Sequence, residues 1–362
     1  MALKALDQWL WPYLTRQRHQ AAPVSDVLLC LCDHFEPFHD ASRAEALRRV
    51  HEWSARFPEL SARFRDADGR PSAHTFFYPI EQYDEEILEE LAALGRRAHT
   101  EVEIHLHHDR DTAAGLRQTL AEGKQHLLHH GLLSRDSAGA VRFAFIHGDW
   151  ALDDSHPSGR HCGVRNELDV LRQAGCYGDF TMPSAPSPTQ TRTINSIYYA
   201  ADTPAPKSHD RGLPLRVGSP LGPDDGRLLM VQGPLGLNWR RRKFGVLPRL
   251  ENGEVSGANP PTVDRLRLWL DLRVHVLGRP EWVVVKLHTH GALPRNMTAL
   301  LGEPLAEFYG SLPEVNHHGN RLRYHFVTAR ELTNVVLAAE AGHSGDPGLY
   351  RDFRYRSEAV RQ

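Results

Sequence analysis

Cysteine is scarce in this chain: 4 among 362 residues, at Cys30, Cys32, Cys162 and Cys176. They make no paired CxxC framework, which argues against a disulfide scaffold and for a reduced, cytoplasmic setting. Methionine is as rare, and aromatics make up 8% of the residues. No apolar run is long enough to span a bilayer, so no transmembrane segment is expected. Met1–Gln20 lacks the continuous apolar core of an export signal; it is an interrupted amphipathic stretch with Trp9, Trp11 and Pro12. It is expected to pack on the domain, with peripheral membrane contact as the other reading. Neither sign of charge is in excess, since the formal net charge is -2, and no strong field points to nucleic acid. The basic run Arg240–Lys243 reads as a solvated loop. No Gly-x-Ser-x-Gly elbow follows a strand, which disfavours a serine-nucleophile hydrolase.

Histidine is what the chain has in abundance, at 23 residues. Some, such as His126, His129 and His130, form surface clusters on a helical stretch. The segment Glu101-Val-Glu-Ile-His-Leu-His-His-Asp-Arg-Asp111 is different. Val102, Ile104 and Leu106 alternate with Glu103, His105 and His107, the period of a strand with one polar face. A strand whose C-terminal end gathers imidazoles and carboxylates is what a metal site at the mouth of a parallel barrel needs.

Other segments share this design. Asp26-Val-Leu-Leu-Cys-Leu-Cys-Asp33 is a continuously apolar strand ending in an acid, as in a sheet covered on both faces. A helix from Ser42 to about Arg65 follows, with Ser42 and Glu45 spaced as a capping box and Pro58 placed to kink or divide it. His74–Tyr78 reads as a strand, and Tyr83–Leu94 as a helix stopped by Gly95. Helices are expected from Thr112 to about Leu133, from about Val164 to Ala174, over Val263–Val276, from Asn296 to about Leu312 and from Ala329 to about Ala339. Strands are expected over Val141–Ile146, Gly178–Thr181, Leu228–Gln232, Trp282–Leu287 and Arg321–Val327. Acids and histidines recur at the strand ends: Asp33, His105 and His107, His147 and Asp149, Asp179, His288 and His290. Strand–helix alternation implies a parallel sheet, and polar strand ends imply closure into a barrel.

At this point the chain resembles the polysaccharide deacetylases of the NodB-homology type. The likeness rests on His74-Thr-Phe-Phe-Tyr-Pro79, the following helix, Gly95, then Glu103-Ile104 and the histidine cluster. Leu31-Cys-Asp-His34 falls at that family's paired-aspartate strand end, Arg160-His-Cys-Gly163 at an Arg-x-Pro-x-Gly type loop, and Val285-Lys-Leu-His288 at a late Leu-His motif. Phe326–Leu332 resembles the closing strand and helix. The resemblance implies an irregular, seven-stranded (β/α) barrel over residues 26–340, with an N-terminal helical extension (1–25), a Pro/Gly-rich insertion at about 183–261 and a loose polar tail (341–362).

It also implies a hydrolase of carbon–nitrogen (amide) bonds that deacetylates N-acetylated sugars of a polysaccharide, oligosaccharide or precursor. Asp33 would be the general base and His288 the acid, with His290 as rival. Arg160 would orient Asp33. His34, His107 and Asp111 would hold a divalent metal, and a His105/His107 pair competes with His107/Asp111. Zinc suits that donor set first, with manganese, iron or nickel as alternatives. Glu36 stands by as a substitute or supporting carboxylate. His147, Asp149, Trp150 and Asp179 would line a carbohydrate cleft. The chain departs from the family at His34, where an aspartate is usual, and at Asp111, where a histidine is usual. Another amidase or an esterase on the same barrel, or an inactive glycan-binding protein, are the alternative readings.

Overall fold

The computed structural model describes residues 5–16, 23–220 and 225–357. Parts of the expected N-terminal extension (1–4 and 17–22), residues 221–224 of the insertion and 358–362 of the tail lie outside the described residues.

The first half is a run of strand–helix units. It comprises β1 (Asp26–His34), α2 (Arg43–Ala62), β2 (His74–Pro79), α3 (Glu85–Arg97), β3 (Thr100–Leu106), α4 (Ala113–His129), β4 (Ser134–Arg135), β5 (Val141–His147), α5 (Glu167–Ala174) and β6 (Cys176–Asp179), preceded by α1 (Leu6–Thr15). The expected insertion holds β7 (Ile197–Ala200), β8 (Leu213–Pro214), β9 (Leu228–Val231), β10 (Gly236–Lys243) and β11 (Leu247–Glu251). Then come α6 (Val263–Leu272), β12 (Trp282–Thr289), α7 (Pro294–Leu300), α8 (Glu303–Ser311), β13 (Asn316–His317), β14 (Asn320–Arg321), β15 (Arg323–Phe326), α9 (Ala329–Glu340) and β16 (Arg356–Ser357).

Local chemistry accounts for several boundaries. Ser42 caps α2 by accepting from the Glu45 N–H, but Glu45 turns to Arg48 and Arg49 and leaves the reciprocal half of the box unmade. Pro58 lies within α2 and does not divide it. Asp84 caps α3, which runs through Gly95 to Arg97. The stretch read as one helix from Asn296 to Leu312 is two, broken before Gly302. Thr328 and Glu331 make the complete capping box that opens α9.

Twelve strands form one sheet, in the order β12-β1-β2-β3-β5-β6-β9-β7-β8, with β15 also beside β1, β4 beside β5 and β16 beside β4. The pairs β12–β1, β1–β2, β2–β3, β3–β5, β5–β6 and β6–β9 are parallel. Among the described residues no ladder closes the sheet, which differs from the expected seven-stranded barrel. The sheet curls all the same. Lys286 of β12, fully buried, donates to the carbonyls of Phe180 and Met182 just beyond β6, five places away in the strand order. A side chain spans the gap that a ladder would close.

Strand parity separates two faces. Val27, Leu29 and Leu31 of β1, with Val283, Val285 and Leu287 of β12, pack under the outer helices in one cluster that includes Trp53 and Phe57 of α2. Leu28, Cys30 and Cys32 turn the other way and pack with Val284 and with Leu332, Val335 and Val336 of α9. Every residue of α9 is buried, so this helix fills the concave side. Full burial of one such aliphatic side chain contributes about 1.5–3 kcal/mol, so these two cores hold the curl.

Two peripheral expectations change. The basic run Arg240–Lys243 lies in strand β10 of an exposed hairpin, not in a loop. The tail is docked through residue 357: Arg351 is buried and pairs with Asp66, Asp68 and Glu331. In α1, Trp9 and Tyr13 are buried with Leu235 and Leu272, whereas Trp11 and Leu14 face outward. No helix of the described residues is long and apolar enough to cross a membrane.

Candidate metal centre at the strand ends

The last residue of β1, His34, and the residue two further on, Glu36, meet His105 from the end of β3. One donor atom from each lies within 4.8 Å of the others. His105 Nε2 is 3.1 Å from Glu36 Oε1, and His107 Nε2 is 3.5 Å from the same oxygen. Strand parity explains the gathering: His34 continues the face of Cys30 and Cys32, and His105 and His107 continue the face of Glu103.

The outward nitrogens are already engaged. His105 Nδ1 donates to the Ile146 carbonyl at 2.8 Å, and His107 Nδ1 to Glu81 Oε1 at 2.8 Å. That leaves both Nε2 atoms directed at the Glu36 carboxylate. Metal-binding histidines are ordinarily held this way, with the far N–H given to a carbonyl or carboxylate. His34 Nε2 is buried with no hydrogen-bond partner. An orphaned imidazole nitrogen beside a carboxylate and two further imidazole nitrogens fits a divalent cation of the zinc, manganese, iron or nickel kind.

Electrostatics fit the same description. Burial, reinforced by His290, His105 and His288, holds His34 far below the usual imidazole range, so its ring is neutral. Burial alone would raise the Glu36 carboxyl, but hydrogen bonds from His105 and His107 hold it well below the usual carboxylate range. Burial alone would lower His107, but Glu36 and Glu81 outweigh it and push the ring up to about 10. Cation and proton therefore compete for His107. Gly148 leaves room for that ring; a Cβ there would collide with it.

Three aromatic rings border the donors. His290 stacks on His34 with centroids 4.8 Å apart, and His288 lies 6.2 Å from it. Trp150 stands 6.0 Å from His34 and 6.1 Å from His290. Its indole Nε1 is buried without a partner. Asp149, Trp150, Asp153 and Asp154 all have positive φ, so the loop after β5 is held in a conformation that L residues seldom adopt.

The other sequence candidates lie elsewhere. Asp33 has the opposite parity to His34. One of its oxygens accepts from His74 Nε2 at 2.9 Å and the other from the Gly291 N–H at 2.5 Å, beside Trp53. It anchors the turn that carries His290. Arg160 pairs with Asp109, not with Asp33. Asp111 accepts from His108, and His147, again of opposite parity, approaches that same His108. Asp149 is exposed and pairs with His161. Asp179 is buried against Thr181, and burial lifts its carboxyl to about 7. A cavity of about 1120 Å³ lies between α1, β10 and α6, and no residue of the strand-end cluster lines it. The roles of Glu81 and His74 went unread in the sequence, because they arise only from contacts between segments distant in the chain.

No family model matches the chain, and no curated protein matches it. Among solved structures it is similar to a "putative polysaccharide deacetylase from Mycobacterium smegmatis", at 13% identity and a TM-score of 0.45 over 90% of this chain and 96% of that one. It is also similar to a 4-alpha-glucanotransferase from Thermococcus litoralis, at 11% identity and a TM-score of 0.41, over 86% of this chain and 43% of that one. Likeness at this level defines neither reaction nor substrate; those have to be argued from the site.

Proposed function

We propose that the chain is a metal-dependent hydrolase that removes an acetyl group from an N-acetylated sugar. The observation that carries the reading is the convergence of one donor atom each from His34, Glu36 and His105, with His107 alongside and the far nitrogens of His105 and His107 fixed. Glu36 takes the place in the donor set expected of Asp111. A divalent cation held there supplies Lewis acidity toward the acyl oxygen and acidifies water. The sugar class comes from the sequence resemblance to deacetylases.

The chain's own groups do the rest. His290 is partly open to the mouth, and burial holds its imidazole below the ordinary value, so it is neutral near pH 7. A neutral imidazole beside the donors takes a proton from the attacking water and returns it to the leaving nitrogen. His288 is buried nearby, its ring 6.2 Å from that of His34. Asp33 acts through the Gly291 N–H as a positioning group. The unpartnered Trp150 N–H is a donor for an oxygen of the sugar or its acyl group, and its ring is a stacking surface.

Zinc-loaded protein incubated with N-acetylated sugar oligomers should release acetate, and His290→Ala should slow release sharply while keeping its metal. Absence of acetate across a broad oligomer panel, with metal bound, would sink the assignment. Release from acetate esters but not from amides would redirect it to an esterase.

A further inference from the structure

A second group of donors lies behind the first, on the opposite face of the sheet. His108 follows β3, His147 ends β5, Cys162 lies in the loop before α5, and Glu167 opens α5. One donor atom from each falls within 4.8 Å of the others. His147, Cys162 and Glu167 are fully buried, and the His108 side chain is 8% exposed. We propose that His108, His147, Cys162 and Glu167 form a second, closed metal site of the zinc type.

Proton accounting points to a cation. His147 Nδ1 lies 2.6 Å from the Gly148 carbonyl, an acceptor, so this nitrogen carries the hydrogen. His108 Nδ1 donates likewise to Asp111 Oδ2 at 3.1 Å. In neutral rings both Nε2 atoms then hold lone pairs, yet they face each other at 2.9 Å. His108 Nε2 is also 3.1 Å, and His147 Nε2 3.5 Å, from Glu167 Oε1. Two lone pairs and a carboxylate directed at one point repel unless positive charge lies between them. Cys162 Sγ completes the group, 3.3 Å from the other Glu167 oxygen.

The dimensions and the charge agree. Bonds of 2.0–2.3 Å in a tetrahedral zinc site place donor atoms roughly 3.3–3.8 Å apart; the two Nε2 atoms and Glu167 Oε1 lie 2.9–3.5 Å apart, and all four donors fall within 4.8 Å of one another. Two neutral imidazoles, a thiolate and a carboxylate carry two negative charges, which a divalent cation cancels inside a buried pocket. Four protein donors leave no open position, the mark of a structural site rather than a catalytic one. Its place suggests its effect: His107 precedes His108, and Gly148, against which the His107 ring rests, follows His147. The cation would lock the two strand ends that present His107 and Trp150.

The test uses full-length protein and a readout independent of acetate release. Wild type should bind two equivalents of zinc, and Glu36→Gln and Cys162→Ser one each. After exchange into cobalt, a thiolate-to-cobalt charge-transfer band should appear in wild type and persist in Glu36→Gln, because the first donor set contains no sulfur. Cys162→Ser should lose the band. Should Cys162→Ser fail to fold, Glu36→Gln decides: folded, cobalt-treated protein without the band overturns the second site, with a proton shared by His108 in place of the metal. A band that survives in folded Cys162→Ser overturns it as well. One equivalent of zinc in wild type that Glu36→Gln retains would support the second site and remove the first.

Discussion

The buried imidazole of His325 sets a pH limit on stability that can be worked out from its contacts. It lies in β15 between two carboxylates, with Nε2 2.8 Å from Asp26 Oδ1 and Nδ1 2.9 Å from Asp68 Oδ2. Burial alone would lower its pKa, but the hydrogen bonds with Asp26 and Asp68 outweigh this and raise it to about 9 from an ordinary 6.5. Between those values the folded chain holds a proton that the unfolded chain has released, so stability falls as pH rises. Below 6.5 both states hold the proton and the contribution is complete. At about 1.4 kcal/mol per pH unit, this window corresponds to roughly 3–4 kcal/mol. The lowered carboxyls of Asp26 and Asp68 express the same contacts from the other side, so the energy counts once. Urea unfolding of wild type and His325→Asn should be followed across the window. Other buried groups titrate there too, among them Glu103, which burial lifts to about 8, so the difference between the two proteins is the quantity to read. It should be largest at mildly acidic pH and shrink as pH rises from 6.5 to about 9. A difference that stays constant from about pH 6 to about pH 10 would refute the reasoning.

Glu81→Ala removes the carboxylate that fixes His107 Nδ1; metal affinity, measured by chelator competition, should weaken by roughly 10- to 100-fold. His290→Ala should lower kcat by roughly 10²- to 10⁴-fold with metal content unchanged; a variant that retains full turnover moves the proton transfer elsewhere. Asp33→Ala strips the His74 ring and the Gly291 N–H of a buried acceptor and should cost about 3 kcal/mol of stability by urea unfolding. Gly148→Ala crowds the His107 ring and should weaken binding at the first donor set, read by the same competition.

Much of the candidate site was legible in advance. Alternation in Glu103, Ile104, His105, Leu106 and His107 is a local property, so β3 and its polar face follow from the period of an extended chain. The apolar run Val27–Cys32 fixed a strand covered on both sides, and His34, His105, His107 and His290 did reach one place. Asp33 meets His74 and the Gly291 N–H, for a reason the pattern already contained. Adjacent residues on a strand face opposite ways, so Asp33 and His34 cannot both enter one site from regular β structure. The same parity sends His147 away from His105 and into the second cluster.

What the chain alone determined is the set of parallel strands, their polar ends and the imidazole-rich character of the site, because these depend on neighbours two to four residues apart. What only tertiary structure decided is which donors meet. Glu36, not Asp111, meets His105 because the loop after β1 folds over the end of β3, while Asp111 is tied by its N–H to the Cys162 carbonyl. Glu167 carries no local mark of a ligand; it becomes one because α5 starts where β3 and β5 end. Curling of the sheet around α9, held by Lys286 across an unpaired gap, was likewise beyond periodicity. It depends on how much side-chain volume the concave face must enclose, which no single strand records.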